Sequence, residues 1–137
     1  MIIADTGFWL ALANRRDRHH RVATERLGDI QEPLITTWPV MTETCYLLLK
    51  YLGNKAQVSF VNSYTAGAYH MFDLTAAHVP RIVELLAKYA DLPMDLADAS
   101  LMILAEHLEH GRILSMDQRA FSTYRWKNHQ PFTNLLL

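Results

Sequence analysis

The sequence predicts an α/β fold built on a mainly parallel sheet. Short apolar runs alternate along the chain with longer segments of helical periodicity. Runs too short for a helix are typical of buried strands, and strands separated by helical segments imply βαβ crossovers with helices on both faces of the sheet. Acidic residues recur where these runs end, which predicts that acids lie along one edge of the sheet.

Composition predicts a single globular domain spanning residues 1–137. The chain has 137 residues, of which half are hydrophobic and 20% are charged, and its formal net charge is −1. Its one cysteine, Cys45, excludes an internal disulfide, and no signal peptide or apolar run of membrane-spanning length is present. We therefore expect a cytoplasmic location and no membrane partner.

The first third of the chain begins with a buried strand. Residues 1–4 are apolar and end at Asp5, and the apolar residues 8–13 favour a helix. The polar and basic segment 14–21 follows, typical of a loop and the start of a helix. The large apolar side chains of the early helices (Phe8, Trp9, Leu10, Tyr46) are interpreted mostly as core, because exposed apolar patches are the exception.

The next segments predict a strand followed by two helices. Residues 34–37 are typical of a second strand, and Pro39 then fits the first turn of a helix over 40–52. Gly53 ends that helix, and residues 55–64 form another.

The last part of the chain repeats the alternation. Residues 69–74 predict a strand, 76–89 and 95–109 predict helices, and 112–116 predict a fourth strand. Residues 131–134 are a candidate edge strand, consistent with the proline there.

Four carboxylates occupy equivalent places in this pattern. Asp5 and Asp117 end strands, while Glu43 and Asp98 lie near the starts of helices. Strand carboxyl ends and the following helix starts share one edge of a parallel sheet, so the four can converge. Four carboxylates together repel strongly, so some would stay protonated, and a divalent cation removes that problem. Oxygen ligands favour Mg²⁺ or Mn²⁺, which can activate water for phosphodiester hydrolysis.

Two further features have alternative interpretations. Asp95, three residues before Asp98, is either a helix cap or a further ligand. The arginines of the basic segment either bind phosphates or are simply solvated; they are Arg15, Arg16, Arg18 and Arg21.

Five motifs in order resemble the PIN-domain ribonucleases, and within them the VapC-type toxins of bacterial toxin–antitoxin pairs. They are Asp5-Thr6-Gly7, the segment from Asn14 to His20, Met41-Thr42-Glu43, Leu96-Ala97-Asp98-Ala99, and Leu114-Ser115-Met116-Asp117 followed by Phe121. The resemblance covers essentially the whole chain. It implies a three-layer α/β/α fold with a five-stranded parallel sheet, Mg²⁺ or Mn²⁺ dependence, endonucleolytic RNA cleavage, homodimers and inhibition by a cognate antitoxin protein.

By position, the resemblance implies that Asp5, Glu43 and Asp98 are metal ligands and that Asp117 completes the catalytic site directly or through water. Thr6 and Ser115 match places where the family has small hydroxyl residues beside the acids, and Asp95 matches no invariant position.

Other classes fit less well. Asp5-Thr6-Gly7 is also the active-site triplet of aspartic proteases, but their fold is all-β, whereas helical periodicity dominates here. A dehalogenase-type phosphatase would need an Asp at position 7, which is Gly. A catalytically silent PIN-like module that binds RNA or protein stays an alternative, although none of the four acids is missing.

Overall fold

A computed structural model describes residues 1–136 of the chain; Leu137, the last residue of the predicted domain, lies outside them. Five strands form a parallel sheet in the order β3-β2-β1-β4-β7. They are β1 (Ile2–Ala4), β2 (Leu34–Thr37), β3 (His70–Phe72), β4 (Arg112–Leu114) and β7 (Thr133–Asn134). A two-stranded antiparallel pair, β5 (Arg125–Trp126) and β6 (Gln130–Pro131), lies before the last strand.

Helices cover both faces of the sheet and give a three-layer α/β/α arrangement, which confirms the predicted fold class. They are α1 (Thr6–Ala13), α2 (His20–Asp29), α3 (Trp38–Leu52), α4 (Asn54–Thr65), α5 (Val79–Lys88), α6 (Leu96–Leu108) and α7 (Gln118–Thr123). None of the helices within residues 1–136 has the length and apolar character needed to cross a bilayer.

Strand β1 is the centre of the sheet because every one of its residues is apolar and buried. It pairs with β2 on one side and with β4 on the other. Helix α6 packs beside it and buries all but one of the residues from Ala97 to Ala105. The strands that follow β1 in the chain, β2 and β3, lie on one side of it, and the later strands β4 and β7 lie on the other. The gap between β1 and β4 is therefore the switch point of the sheet, where ligands bind in open α/β folds.

Side-chain caps explain where four of the seven helices begin within residues 1–136. Thr37 caps α3 through its side chain, which accepts from Val40 N, and Pro39 lies in the first turn. Asp5, Asp95 and Asp117 similarly cap the helices that follow them, α1, α6 and α7. Three of the acidic residues singled out from the sequence therefore also stabilise helix starts.

Some predicted boundaries are wrong. The segment predicted as one helix over 76–89 consists of a 3₁₀ turn (Ala76–His78) and α5, which begins at Val79 with Pro80 in its first turn. The candidate edge strand over 131–134 is divided between β6 and β7. Among the early apolar residues, Phe8 and Trp9 are in the core, as predicted, but Tyr46 is 61% exposed.

Candidate functional site

An open cavity of about 510 Å³ lies at the carboxyl edge of the sheet. Five carboxylates line it: Asp5, Glu43, Asp95, Asp98 and Asp117. Asp5 directly follows the central strand, and Asp117 lies just beyond its neighbour β4. The structure thus brings together at the switch point all four acids predicted from the sequence, and adds Asp95 to them.

Asp5 is the most buried acid of the cavity, with 8% of its surface exposed. Thr6 N donates to its Oδ1 at 2.7 Å, and Ser115 Oγ donates to its Oδ2 at 3.0 Å. Burial, with smaller contributions from the charges of Glu43 and Asp117, raises the pKa of Asp5 to about 6, although those two hydrogen bonds lower it in part. Two hydrogen bonds therefore hold Asp5 in a fixed orientation, but its ionisation lowers the stability of the folded protein.

Glu43 lies half-buried on α3, with its carboxylate toward the same cavity. Burial raises its pKa, and the neighbouring Asp95 adds to that rise. The Thr6 side chain is close enough to lower this pKa in part, yet Thr6 Oγ1 is buried and has no well-formed hydrogen bond within residues 1–136.

Asp98 lies in the first turn of α6 and is partly buried. Burial raises its pKa to about 7, with contributions from the charges of Asp95 and Asp5. The Tyr124 hydroxyl donates to Asp98 Oδ2 at 3.0 Å and opposes part of that rise. Asp95 Oδ1 accepts from Asp98 N at 2.8 Å, so the interpretation of Asp95 as a helix cap is confirmed, and a role as ligand stays a prediction.

Asp117 differs from the other acids because it is exposed at the rim of the cavity. Its Oδ1 accepts from Ala120 N at 3.1 Å, and its backbone N donates to Ser115 Oγ at 3.0 Å. Ser115 thereby connects Asp117 to Asp5 through one buried hydroxyl. The Asn134 side chain in turn holds the backbone of Ser115, accepting from its N–H at 3.3 Å and donating to its C=O at 2.8 Å.

The donor set suits a hard divalent cation better than a soft one. All five acids offer oxygen ligands. Burial and mutual repulsion raise the pKa of three of these acids. Thr6 Oγ1 is in addition a buried polar atom without a partner among the described residues. No three His, Cys, Asp or Glu side chains within residues 1–136 are nevertheless arranged as a ready-made metal centre. Mg²⁺ is compatible with this spacing, because it keeps several waters and takes only one or two carboxylates directly.

The structure places the four arginines outside the acidic cavity, in the loop after α1 and at the start of α2. All four are exposed, and Arg21 pairs with Glu25 at 3.0 Å. A smaller cavity of about 190 Å³, which Asn14 and Asp17 of this loop help to line, shares Leu10 and Leu47 with the acidic cavity. The loop therefore lines a cavity that is adjacent to the acidic one.

Sequence reasoning missed Tyr124 and Asn134. Both lie in the tail, where the chain has no clear periodicity, and both act on residues far away in sequence. A tyrosine three residues after Phe121 was the only available signal, and it does not indicate which acid the hydroxyl would reach.

This fold, with acids gathered at the switch point of a parallel sheet, is that of a known family: the PIN domain model matches residues 2–127, and the chain belongs to that family. The chain is 27% identical over 124 residues to "Ribonuclease VapC26" of Mycobacterium tuberculosis, covering 90% of this chain and 92% of that protein. It also matches the crystal structure of M. tuberculosis VapC20, described as a sarcin–ricin loop cleaving toxin, with a TM-score of 0.81, 22% identity, and coverage of 87% and 92% of the two chains. The resemblance to VapC-type PIN proteins that the sequence motifs indicated is confirmed.

Proposed function

We propose that this protein is a divalent-cation-dependent endoribonuclease that hydrolyses RNA phosphodiester bonds at the acidic cavity. The convergence of five carboxylates on one cavity carries this proposal, because their burial and mutual repulsion are costly unless a cation offsets them. The family membership and the names of the relatives support it.

In this proposal Asp5, Glu43 and Asp98 hold Mg²⁺ or Mn²⁺, and Asp117 completes the site from the rim. When bound, the cation supplies charge compensation for the phosphate and lowers the pKa of a water. Ser115 keeps Asp5 oriented through its hydroxyl and keeps the backbone of Asp117 in place.

Cleavage assays with matched variants test the proposal. A pool of structured RNAs that includes the sarcin–ricin loop would be incubated with Mg²⁺ or Mn²⁺, using wild type, Asp98→Asn and Asp91→Asn, with EDTA controls. Asp91 is an exposed acid that does not line the cavity. We expect cation-dependent cleavage by wild type and Asp91→Asn and its loss in Asp98→Asn. Cleavage that continues in EDTA, or in Asp98→Asn, would contradict the proposal.

The arginines Arg15, Arg16, Arg18 and Arg21 supply the RNA-binding charge in this proposal, because an acidic site repels phosphate. The exposed ion pair with Glu25 is weak enough to leave Arg21 available. Each arginine that contacts a phosphate should, when changed to alanine, reduce the slope of log affinity against log salt by about 0.7. Lys55→Ala, on α4 and outside both cavities, should leave that slope unchanged, and unchanged slopes in all four arginine variants would exclude this role.

We also propose that the protein is the cytoplasmic toxin of a toxin–antitoxin pair, with a cognate antitoxin protein and a homodimeric state. Large apolar side chains exposed on α3 and α4 offer area for such partners; they are Tyr46, Leu49, Leu52, Val58 and Val61. Light scattering of the purified chain tests the dimer, and a monomer at micromolar concentration would contradict it.

A catalytically silent binding module is the second candidate. It is favoured by one observation, the absence of a ready-made three-ligand metal centre within residues 1–136. RNA binding by a folded wild type that neither binds Mn²⁺ in calorimetry nor cleaves any RNA of the pool would establish it.

A further inference from the structure

Tyr124 is a buried aromatic residue whose side-chain hydroxyl reaches the acidic site. It lies directly after α7, and 1% of its surface is exposed. Its ring packs edge-to-face against Tyr89 at 4.9 Å and against Phe121 at 5.1 Å between centroids. Packing on two sides by rigid rings leaves the Tyr124 ring one orientation, so the position of its hydroxyl is fixed by the core.

That hydroxyl contacts one of the two oxygens of Asp98. It donates to Oδ2 at 3.0 Å, and the backbone N–H of Asp95 also lies close enough to the Asp98 carboxylate to lower its pKa. The backbone of Asp98 is held separately, because its N–H donates to Asp95. The Asp98 carboxylate is therefore held by a distant side chain, through the Tyr124 hydroxyl, and by the start of its own helix.

We infer that Tyr124 is a positioning residue for Asp98, whose hydroxyl holds Oδ2 so that the carboxylate keeps one orientation toward a divalent cation in the cavity. The inference rests on the proposed function. Groups that hydrogen-bond a metal ligand fix its orientation, and their removal typically lowers metal affinity or activity by 10- to 100-fold. A purely structural tyrosine would instead affect stability alone, which makes the two roles separable.

The variant Tyr124→Phe tests this role because it keeps the packed ring and removes only the hydroxyl. Tyr89→Phe is the matched control: Tyr89 is also buried, and its hydroxyl accepts from the backbone N of Arg125 at 3.0 Å rather than contacting an acid. For each variant, Mn²⁺ affinity would be measured by calorimetry, unfolding by urea, and RNA cleavage by kcat and KM.

We expect Tyr124→Phe to weaken Mn²⁺ binding by about 10-fold or more and to lower kcat with little change in KM for RNA. Tyr89→Phe should bind Mn²⁺ like wild type. In an Asp98→Asn background, Tyr124→Phe should cause no further loss of Mn²⁺ affinity, because the carboxylate it positions is gone. This double variant also separates the role from any general loss of folding.

Two results would overturn the inference while leaving the proposed function intact: wild-type Mn²⁺ affinity in Tyr124→Phe, or an equal loss in Tyr124→Phe and Tyr89→Phe. A wild type that binds no Mn²⁺ and cleaves no RNA would overturn the proposed function, and this inference with it.

Discussion

Asp5→Asn should change how the stability of the cation-free protein depends on pH. Asp5 is buried, and burial raises its pKa from 3.8 to about 6. The native state therefore binds a proton at Asp5 that the unfolded chain has already lost between these two pH values. Stability must fall as pH rises through that window, and the whole penalty is present above about pH 6. Asparagine has nearly the same shape but no charge, so the variant lacks this penalty.

The pKa change of Asp5 sets the size of the effect. A rise from 3.8 to about 6 corresponds to about 3 kcal/mol of lost stability once Asp5 is ionised in both states. Between about pH 4.5 and pH 7.5, wild type should lose about 2 kcal/mol more than the variant. The charge of Asp5 also raises the pKa of Asp98, so its removal acts in the same direction.

Urea unfolding in EDTA at these two pH values measures the difference, with equal m-values as the test that only stability has changed. The Ser115 hydrogen bond favours ionised Asp5 and is already contained in the pKa of about 6, so it needs no separate correction in wild type. Asp91→Asn, an exposed acid, should follow wild type. An equal pH dependence in Asp5→Asn and wild type would refute the argument that burial keeps Asp5 protonated.

Three further predictions concern cation binding, packing and an ion pair. Mn²⁺ at about 100 times its Kd should stabilise the protein by about 2.7 kcal/mol in urea unfolding at neutral pH. The stabilisation should be smaller at pH 5.5, where the acids bind protons that compete with the cation. No stabilisation at neutral pH would exclude a cation site in the folded state. Gly7→Ala should lower the free energy of unfolding by about 1–3 kcal/mol and lower Mn²⁺ affinity, because the Cβ of the alanine would lie 2.9 Å from Cβ of Met116. An unchanged free energy of unfolding would show that this contact relaxes freely. Glu106→Gln should lower the free energy of unfolding by about 2 kcal/mol, because Glu106 accepts from Arg81 at 2.7 Å and 3.1 Å and both side chains are largely buried. Glu84→Gln, on the exposed side of Arg81, should lower it by less than about 1 kcal/mol. Equal losses in the two variants would contradict the role of burial.

Much of the fold was predictable because its signals are local. The buried strands β1, β2 and β4 are short and mostly apolar runs, and Pro39 and Gly53 lie at the start and end of α3 as expected. The errors have local causes as well. The segment predicted as one helix over 76–89 is divided between a 3₁₀ turn and α5, and the weakly patterned tail conceals the division between β6 and β7.

The sequence by itself determined which residue types follow the strands and open the helices, and therefore that acids would face one edge of the sheet. Only the tertiary structure decided the environment of these acids. It places β1 at the centre of the sheet, and it brings the Ser115 hydroxyl to Asp5 and the Tyr124 hydroxyl to Asp98 as hydrogen-bond donors. Those contacts join residues 110 and 26 positions apart, and periodicity or capping patterns carry no information about which distant side chains meet. Burial and mutual charge, which set the pKa values of the acids, arise only when the chain closes around the switch point.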